Sequence, residues 1–323
     1  MDRWNMTILE NCNLKVIDLF CGAGVGASGI KMAGFDIIWA IDKDEYAVKT
    51  YNENIGNHAI CEDIRRVSSN DIPKHDIMVA TPVCKSFSVA GTQKGFYDET
   101  NGDLTYHFTR LLRDCNPKAF LFENVPGMVT KKHINDFLNI VDTISSYGYK
   151  VKWEVINCYD YGVPQERKRL FMVGIRNDIK KEFEFPKKAE VKTDIRYAIE
   201  DIKDNKSIPN NDVTLELGYS SRYISRNRQR QWDEPSFTIC SEARHLPLYP
   251  EPTHYDIRIE DININKPPRR FTVRECLRLQ TVPDSFKFSN DIPLKKQYER
   301  CSGIPSLMAY KFMIEIKNVL IIK

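Results

Sequence analysis

No apolar run in these 323 residues approaches the roughly 20 needed to cross a bilayer. The opening residues, Met1-Asp2-Arg3-Trp4-Asn5, lack the charged-then-apolar pattern of an export signal. The expectation is a cytoplasmic protein with no membrane contact. Nine cysteines is an odd count and no CxxC pair occurs, which argues against a disulfide framework and a structural zinc site. No other metal-ligand pattern is present, so no metal is expected. Charge of one sign is scarce too: 47 Lys and Arg against 44 Asp and Glu leave a net +3. That is too little to name a polyanionic partner unless the positive charges cluster. Repeats and low-complexity tracts are absent, and so is the GxGxxG pattern that seats a pyrophosphate.

What is present suits an α/β protein of one large domain and a smaller one. Leu14 to Phe20 reads as a strand, followed by the loop Cys21-Gly22-Ala23-Gly24-Val25-Gly26 and a helix from Ala27 to Ala33. A second strand, Phe35 to Ile41, ends in Asp42. Strand, glycine loop, helix, strand and acid form a nucleotide-binding βαβ unit, in which the acid can hold ribose hydroxyls. Without the pyrophosphate signature, the ligand reads as an adenosyl compound rather than a dinucleotide. A third strand is expected to end near Cys61-Glu62-Asp63-Ile64.

Ile77 to Ala80 is a further strand, broken by Pro82, with Cys84 just beyond it and Lys85 alongside. A neighbouring cation favours the thiolate, the nucleophilic form. In isolation such a cysteine reads better as a small buried hydrophobe than as a nucleophile, and the rest of the sequence must overturn that. A helix is expected from Leu104 to Arg113, then a fifth strand, Ala119 to Phe122, with Glu123 directly past it as a candidate acid. After a helix from Ile134 to Ser145, strands from Lys150 to Cys158 and Arg169 to Ile175 flank Gln165-Glu166-Arg167-Lys168-Arg169. Beyond Arg176 the chain turns polar. Residues 219–232 then interleave arginines, amides, hydroxyls and aromatics, groups that can hold phosphates and grip guanine edges. A second basic stretch follows at Arg269, Arg270, Arg274 and Arg278. A last helix is expected from Ile304 to Ile316, with Pro305 in its first turn.

Taken together the chain resembles the C5-cytosine DNA methyltransferases over nearly its whole length. The matching stretches occur in the family's order: Asp18-Leu19-Phe20-Cys21-Gly22-Ala23-Gly24, Pro82-Val83-Cys84-Lys85-Ser86-Phe87-Ser88, Glu123-Asn124-Val125 and Gln165-Glu166-Arg167-Lys168-Arg169. Arg270-Phe271-Thr272-Val273-Arg274-Glu275 follows, running on to Leu279-Gln280 and Pro283-Asp284. The resemblance implies a Rossmann-like domain, residues 1–178 completed by 299–323, with a target-recognition domain at 179–298. It implies S-adenosylmethionine as methyl donor, with S-adenosylhomocysteine as product. Phe20, Gly22, Ala23 and Gly24 would border the donor, with Asp42 on its ribose and Asp63 and Ile64 beside its adenine. Lys43, Pro82, Leu104, Ser302 and Gly303 complete the expected donor site. Cys84 would be the nucleophile, Glu123 the acid on the cytosine ring, Arg169 a contact to its carbonyl oxygen and Arg167 a support.

The same resemblance implies a monomer acting on double-stranded DNA, with Lys85, Ser88, Arg226, Arg228, Arg230 and Arg270 on the DNA. A cognate restriction endonuclease is a candidate partner. Residues 219–250 look more narrowly like the recognition region of GGCC-specific members. Two departures stand out: Val83 and Lys85 flank the cysteine where the family has proline and glutamine, and Ser302 replaces an asparagine near the donor. They leave a catalytically idle DNA-binding protein as one rival, beside an RNA-directed cytosine methyltransferase on the same scaffold. A nicotinamide-dependent dehydrogenase is more distant, since nothing supplies a hydride-handling partner.

Overall fold

The computed structural model describes residue 4 and residues 6–82, 103–203, 205–214, 228–250 and 269–321. The glycine loop joins strand β1 (Lys15–Leu19) to helix α1 (Val25–Met32), and strand β2 (Asp36–Asp42), helix α2 (Glu45–Asn54) and strand β3 (Ala59–Cys61) follow. Next come β4 (Ile77–Ala80), α3 (Leu104–Cys115), β5 (Ala119–Asn124), α4 (Ile134–Ser146) and β6 (Tyr149–Asn157). The chain continues through β7 (Gln165–Glu166), β8 (Lys168–Arg176), α5 (Ile195–Ile199) and β9 (Ser236–Phe237). It closes with α6 (Val273–Leu279), α7 (Leu294–Arg300) and α8 (Ser306–Leu320).

Seven strands form one sheet in the order β3-β2-β1-β4-β5-β8-β6. The first five run parallel, whereas β8 is antiparallel to both its neighbours. The sheet grows outwards in both directions from β1 and β4, so their carboxyl ends sit at the switch point where α/β proteins bind ligands. Alternation along the strands sorts the core into two apolar layers. Val16, Val79, Leu121 and Phe171 face the layer holding α1 and α8; Ile17, Met78, Phe120 and Phe122 face α3 and α4. Near-continuous apolar strands such as Ile77–Ala80 are what burial on both faces demands.

The C-terminal helix lies directly on the first one. Ser28 and Ser306 place their hydroxyl oxygens 2.6 Å apart, and the ring of Phe312 stacks on Phe171 at 4.4 Å. The approach is so close that a Cβ on Gly29 would stand 1.9 Å from the Ser306 carbonyl oxygen. Alanine normally gains about 0.5–1 kcal/mol over glycine inside a helix. Here overpacking against backbone, worth about 1–3 kcal/mol, outweighs that gain. Gly29→Ala is therefore expected to lower the melting temperature, and a thermal melt equal to or above wild type would refute the close packing.

Several expectations need correction. The fifth strand does not stop at Phe122: antiparallel pairing with β8 carries it to Asn124, so Glu123 lies within the ladder opposite Phe171. The third strand does end within the expected stretch, at Cys61, and the Asp63 side chain caps the turn that follows by accepting from the Arg65 N–H. Pro305 is the N-cap of α8, not part of its first turn, and the helix runs on to Leu320. Arg274 and Arg278 do not form a solvent-facing basic stretch. They lie on α6, whose start is fixed by a reciprocal cap between Thr272 and Glu275. Arg274 is wholly buried and donates to the carbonyls of Pro209 and Phe286, while Arg278 is bound by Asp201 and Asp284.

Candidate active site

The loop after β1 is shaped by three alternating departures from ordinary backbone. Phe20, Gly22 and Gly24 all have positive φ, at 60°, 54° and 90°. Phenylalanine rarely adopts this conformation, at a cost of order 1–2 kcal/mol, so Phe20 is a strained residue held at a ligand-facing turn. The two glycines serve different ends. A Cβ on Gly22 would meet nothing within 4 Å, because it faces the cavity; one on Gly24 would fall 2.7 Å from Ile55, the C-cap of α2. The loop is pinned from behind by Asp42, whose carboxylate accepts from the Gly22 N–H at 2.9 Å and from the Asp44 N–H at 3.0 Å. Burial pushes the Asp42 carboxyl up from its ordinary range, against those two hydrogen bonds.

This loop forms one wall of a cavity of about 680 Å3, a size ordinary for a small-molecule site. Of the residues expected around donor and base, Phe20, Gly22, Ala23, Pro82, Glu123, Arg167, Arg169, Ser302 and Gly303 line it together. Gly24, Asp42, Asp63, Ile64 and Leu104 do not. The Asp63 carboxylate is paired with Arg65, and Ile64 and Leu104 are buried in the apolar layer under α3. Lys43 lies on the turn between β2 and α2. A larger cleft of about 1690 Å3 lies elsewhere, between the N-terminal segment, α5 and residues 282–287. Its two arginines are already paired, Arg196 with Glu200 and Arg278 with Asp201 and Asp284, so volume alone does not choose the site.

At the far wall stand the two groups expected on the base. Because Glu123 pairs with Phe171, Arg169 lies diagonally across the same face of the ladder. The Arg169 Nε sits 3.0 Å from Glu123 Oε1, with 14% and 9% of the two side chains exposed. The contact is an ion pair rather than an aligned hydrogen bond, since Oε1 is buried without a hydrogen-bond partner. Charges at this separation attract by several kcal/mol at an effective protein dielectric of about 20. The pair is thus held together while keeping acceptor capacity for something else.

The remaining residues of that motif act as anchors. Gln165 is wholly buried; its Oε1 accepts from the Ile239 N–H at 2.9 Å, and its Nε2 donates to the carbonyl of Leu279 and to Gln280. Arg167 donates to the carbonyl of Ile239 at 2.9 Å. Residues 236–239 are so fixed to the sheet, and the turn that follows brings Cys240, Ser241, Glu242 and His245 to the cavity opposite Glu123. That turn was assigned to DNA reading in sequence, and nothing in its residue types marks it as a cavity wall. Asp18, near the end of β1, is also on the wall.

Of the arginines expected on DNA, Arg230 is held by Glu166 at 2.7 Å and Glu234 at 3.0 Å and stacks over Phe237. Arg270 is buried, and Arg228 shares a backbone hydrogen bond with Leu248. Cys84, Lys85, Ser88 and Arg226 lie outside the described residues. Among the described residues, no group of three or more His, Cys, Asp or Glu stands where it could hold a metal ion. No described helix is long and apolar enough to cross a membrane.

Residues 14–317 match the family described as C-5 cytosine-specific DNA methylase. The chain belongs to that family. It is a DNA cytosine methyltransferase. Among relatives, the methylase is 38% identical over 294 residues to the type II methyltransferase M.MthTI of Methanothermobacter thermautotrophicus, covering 85% of this chain and 88% of the relative. It is 35% identical over 333 residues to the type II methyltransferase M.FnuDI of Fusobacterium nucleatum, with 95% of each covered. The methylase fold matches the Entamoeba histolytica methyltransferase EhMeth with a TM-score of 0.71 at 18% identity, over 94% and 98% of the two chains. The Dnmt2 methyltransferase of S. pombe matches with a TM-score of 0.68 at 20% identity, over 94% and 97%. At such identities these two speak for the fold alone.

The cavity wall at Gly22, open where a side chain would otherwise stand and held from behind by the Asp42 carboxylate, fits the S-adenosylmethionine that this methylase family uses.

Proposed function

We propose that this methylase acts on a cytosine turned out of duplex DNA, through a transient bond between Cys84 and carbon 6 of the base. The observation that carries the reading is the Glu123–Arg169 pair in the same cavity as the Phe20–Gly24 loop. S-adenosylmethionine would supply the electrophilic methyl group. The rest falls to the chain. Cys84 follows Pro82 by two residues, and Pro82 lines the cavity. The other thiols on that wall are poor substitutes: Cys21 is pushed well up by burial and by Asp18 and Asp42, and Cys240 is pushed up by burial.

Addition of the Cys84 thiolate to carbon 6 forms the S–C bond and moves the ring electrons towards nitrogen 3, where Glu123 delivers a proton. Carbon 5 becomes enamine-like and able to accept a methyl group. Once carbon 5 carries the methyl group, loss of its proton to solvent restores the ring double bond and expels Cys84 as thiolate, while the nitrogen 3 proton returns to Glu123. Arg169 would hold the base's carbonyl oxygen while its charge keeps Glu123 in place. A stacked base lies out of reach of these groups, so the target must leave the helix.

Residues 1–178 and 299–323 would form the catalytic domain and 179–298 the recognition domain. The proposed target is GGCC or a close relative, and a cognate GGCC nuclease is the partner that reading suggests. With Arg230 committed to two carboxylates, base reading is assigned to Arg226 and Arg228. DNA methylated in vitro by this enzyme is expected to resist a methylation-sensitive nuclease that cuts GGCC. Full cutting despite methyl incorporation would remove the GGCC assignment and leave the chemistry standing.

A further inference from the structure

Two segments far apart in sequence meet at the donor cavity, and one ion pair joins them. The first is the turn from β2 into α2. There Asp42 accepts from the Gly22 N–H of the cavity loop and from the Asp44 N–H, while Asp44 caps α2 by accepting from the Ala47 N–H at 2.9 Å. The second is the turn after α7, where Ser302 and Gly303 line the same cavity. Arg300, the last residue of α7, reaches across from one to the other. Its Nε donates to Asp44 Oδ1 at 2.7 Å, and its Nη2 donates to Asp44 Oδ2. A guanidinium forked onto both carboxylate oxygens fixes direction as well as distance.

The fork is itself well seated. Only 10% of the Arg300 side chain is exposed, against 35% for Asp44. Its Nη1 donates to the Lys296 carbonyl at 3.1 Å and to Glu299 at 3.2 Å, and the guanidinium lies 5.7 Å from the centre of the Tyr46 ring. Burial pushes the Asp42 carboxyl up, and the Arg300 charge works against that shift. The other ties of the Ser302 turn lead elsewhere. Ser302, standing where the family has asparagine, turns its hydroxyl to the Glu299 carbonyl of its own turn, and buried Gln280 donates to the Cys301 carbonyl at 3.0 Å. Neither reaches β2. Further along α2 the seam continues as Lys49 with Asp291, Glu53 with Ser289 and Asn54 with the Lys287 backbone, at residues that do not line the donor cavity.

We propose that Arg300 and Asp44 are positioning residues for methyl transfer, whose pair holds the Ser302–Gly303 wall at a fixed distance from the Asp42–Gly22 wall and so sets the affinity for the donor. The proposal rests on the donor reading of the cavity. Neither residue lines the cavity, so both act through the backbone of the two turns. A brace between walls does not sense the charge on the ligand's sulfur. Its loss therefore weakens S-adenosylmethionine and S-adenosylhomocysteine alike. Glu123 and Arg169 belong to β5 and β8, and the brace joins neither strand. The chemical step thus proceeds at its ordinary rate once donor is bound, and the damage appears in KM rather than kcat.

Isothermal titration calorimetry of the full chain tests this, with S-adenosylmethionine and S-adenosylhomocysteine titrated separately, beside steady-state methyl transfer to duplex DNA. In Arg300→Met both Kd values and the donor KM are expected to rise about tenfold, the loss of a charge-assisted hydrogen bond, with kcat at saturating donor unchanged. Arg300→Lys, which keeps the charge without the fork, falls between. Asp44→Asn keeps a good helix cap but loses the charge, and should match Arg300→Met. The double variant should bind no more weakly than either single one, because the two share one interaction. Lys49→Ala, which breaks an exposed pair on the same seam, should bind both compounds as wild type does. Unchanged donor affinity in Arg300→Met, additive losses in the double variant, or an equal loss in Lys49→Ala overturns the proposal while leaving the donor reading intact. Failure of the wild type to bind either compound overturns the donor reading and this proposal with it. Should Arg300→Met not fold, Arg300→Lys and Asp44→Asn decide by the same split between KM and kcat.

Discussion

Glu123→Gln is expected to cut methyl transfer about 10²- to 10⁴-fold, the usual contribution of a positioned proton donor. The amide keeps the size and part of the hydrogen bonding of the carboxyl group but cannot hand a proton to ring nitrogen 3. The substitution also strands the Arg169 guanidinium, now 3.0 Å from a carboxylate oxygen, beside a neutral group in a nearly closed cavity. Removing one partner of a buried pair costs about 3–5 kcal/mol, so the rate is to be taken at a temperature where the variant's melt shows it folded. Duplex binding in the absence of donor serves as the control, since it draws on residues outside this pair. A loss of less than tenfold in a folded, DNA-binding variant would show that Glu123 is not the proton donor.

Cys84→Ala is expected to reduce methyl incorporation further, by several orders of magnitude, because no other thiol can take its place. Cys158 stands near Arg167, Arg169 and Glu123, yet burial pushes its thiol up to about 12 despite the two arginines. Cys21 and Cys240 are likewise held as neutral thiols by burial. Without an addition at carbon 6, carbon 5 remains too poor in electrons to be alkylated. Appreciable turnover by folded Cys84→Ala, measured with labelled donor, would mean that the ring is activated some other way.

The parts of this account that were legible in sequence are those written in local periodicity. The βαβ unit from β1 to Asp42 shows itself because its strands are buried on both faces, and Gly22 and Gly24 mark the turns that L side chains resist. Glu123 was visible as an acid at the edge of an apolar run, but its partnership with Arg169 was not. That contact depends on the register between β5 and an antiparallel strand nearly fifty residues later, which neither segment encodes alone. Charge misled in one place. Arg274 and Arg278 look like part of a basic surface, although Thr272-Val273-Arg274-Glu275 spells a capping box and so the start of a helix. On that helix residues four apart share a face, and here the face is inward, with carbonyls and carboxylates supplied from Pro209, Phe286, Asp201 and Asp284.

The roles of Gln165 and Arg167 fall between these cases. Their motif pointed to the catalytic cluster, and both residues lie in or beside it. What they do is fasten Ile239, and with it the turn at Cys240–His245, against the sheet. Among the described residues, a strand of two residues, β7, paired with another of two, β9, is the only ladder involved, too short to register as periodicity.

The most direct test of the central claim is capture of the enzyme on duplex DNA in which 5-fluorocytosine replaces cytosine throughout, in the presence of S-adenosylmethionine. Fluorine cannot leave carbon 5 as a proton does, so the bond to the enzyme persists and survives denaturation. The predicted result is a denaturation-resistant complex whose proteolytic peptides carry the modified base on Cys84 and nowhere else, and which Cys84→Ala fails to form. Methyl transfer to ordinary cytosine with no such complex on the fluorinated duplex, or a base bound to any other residue, would contradict the account.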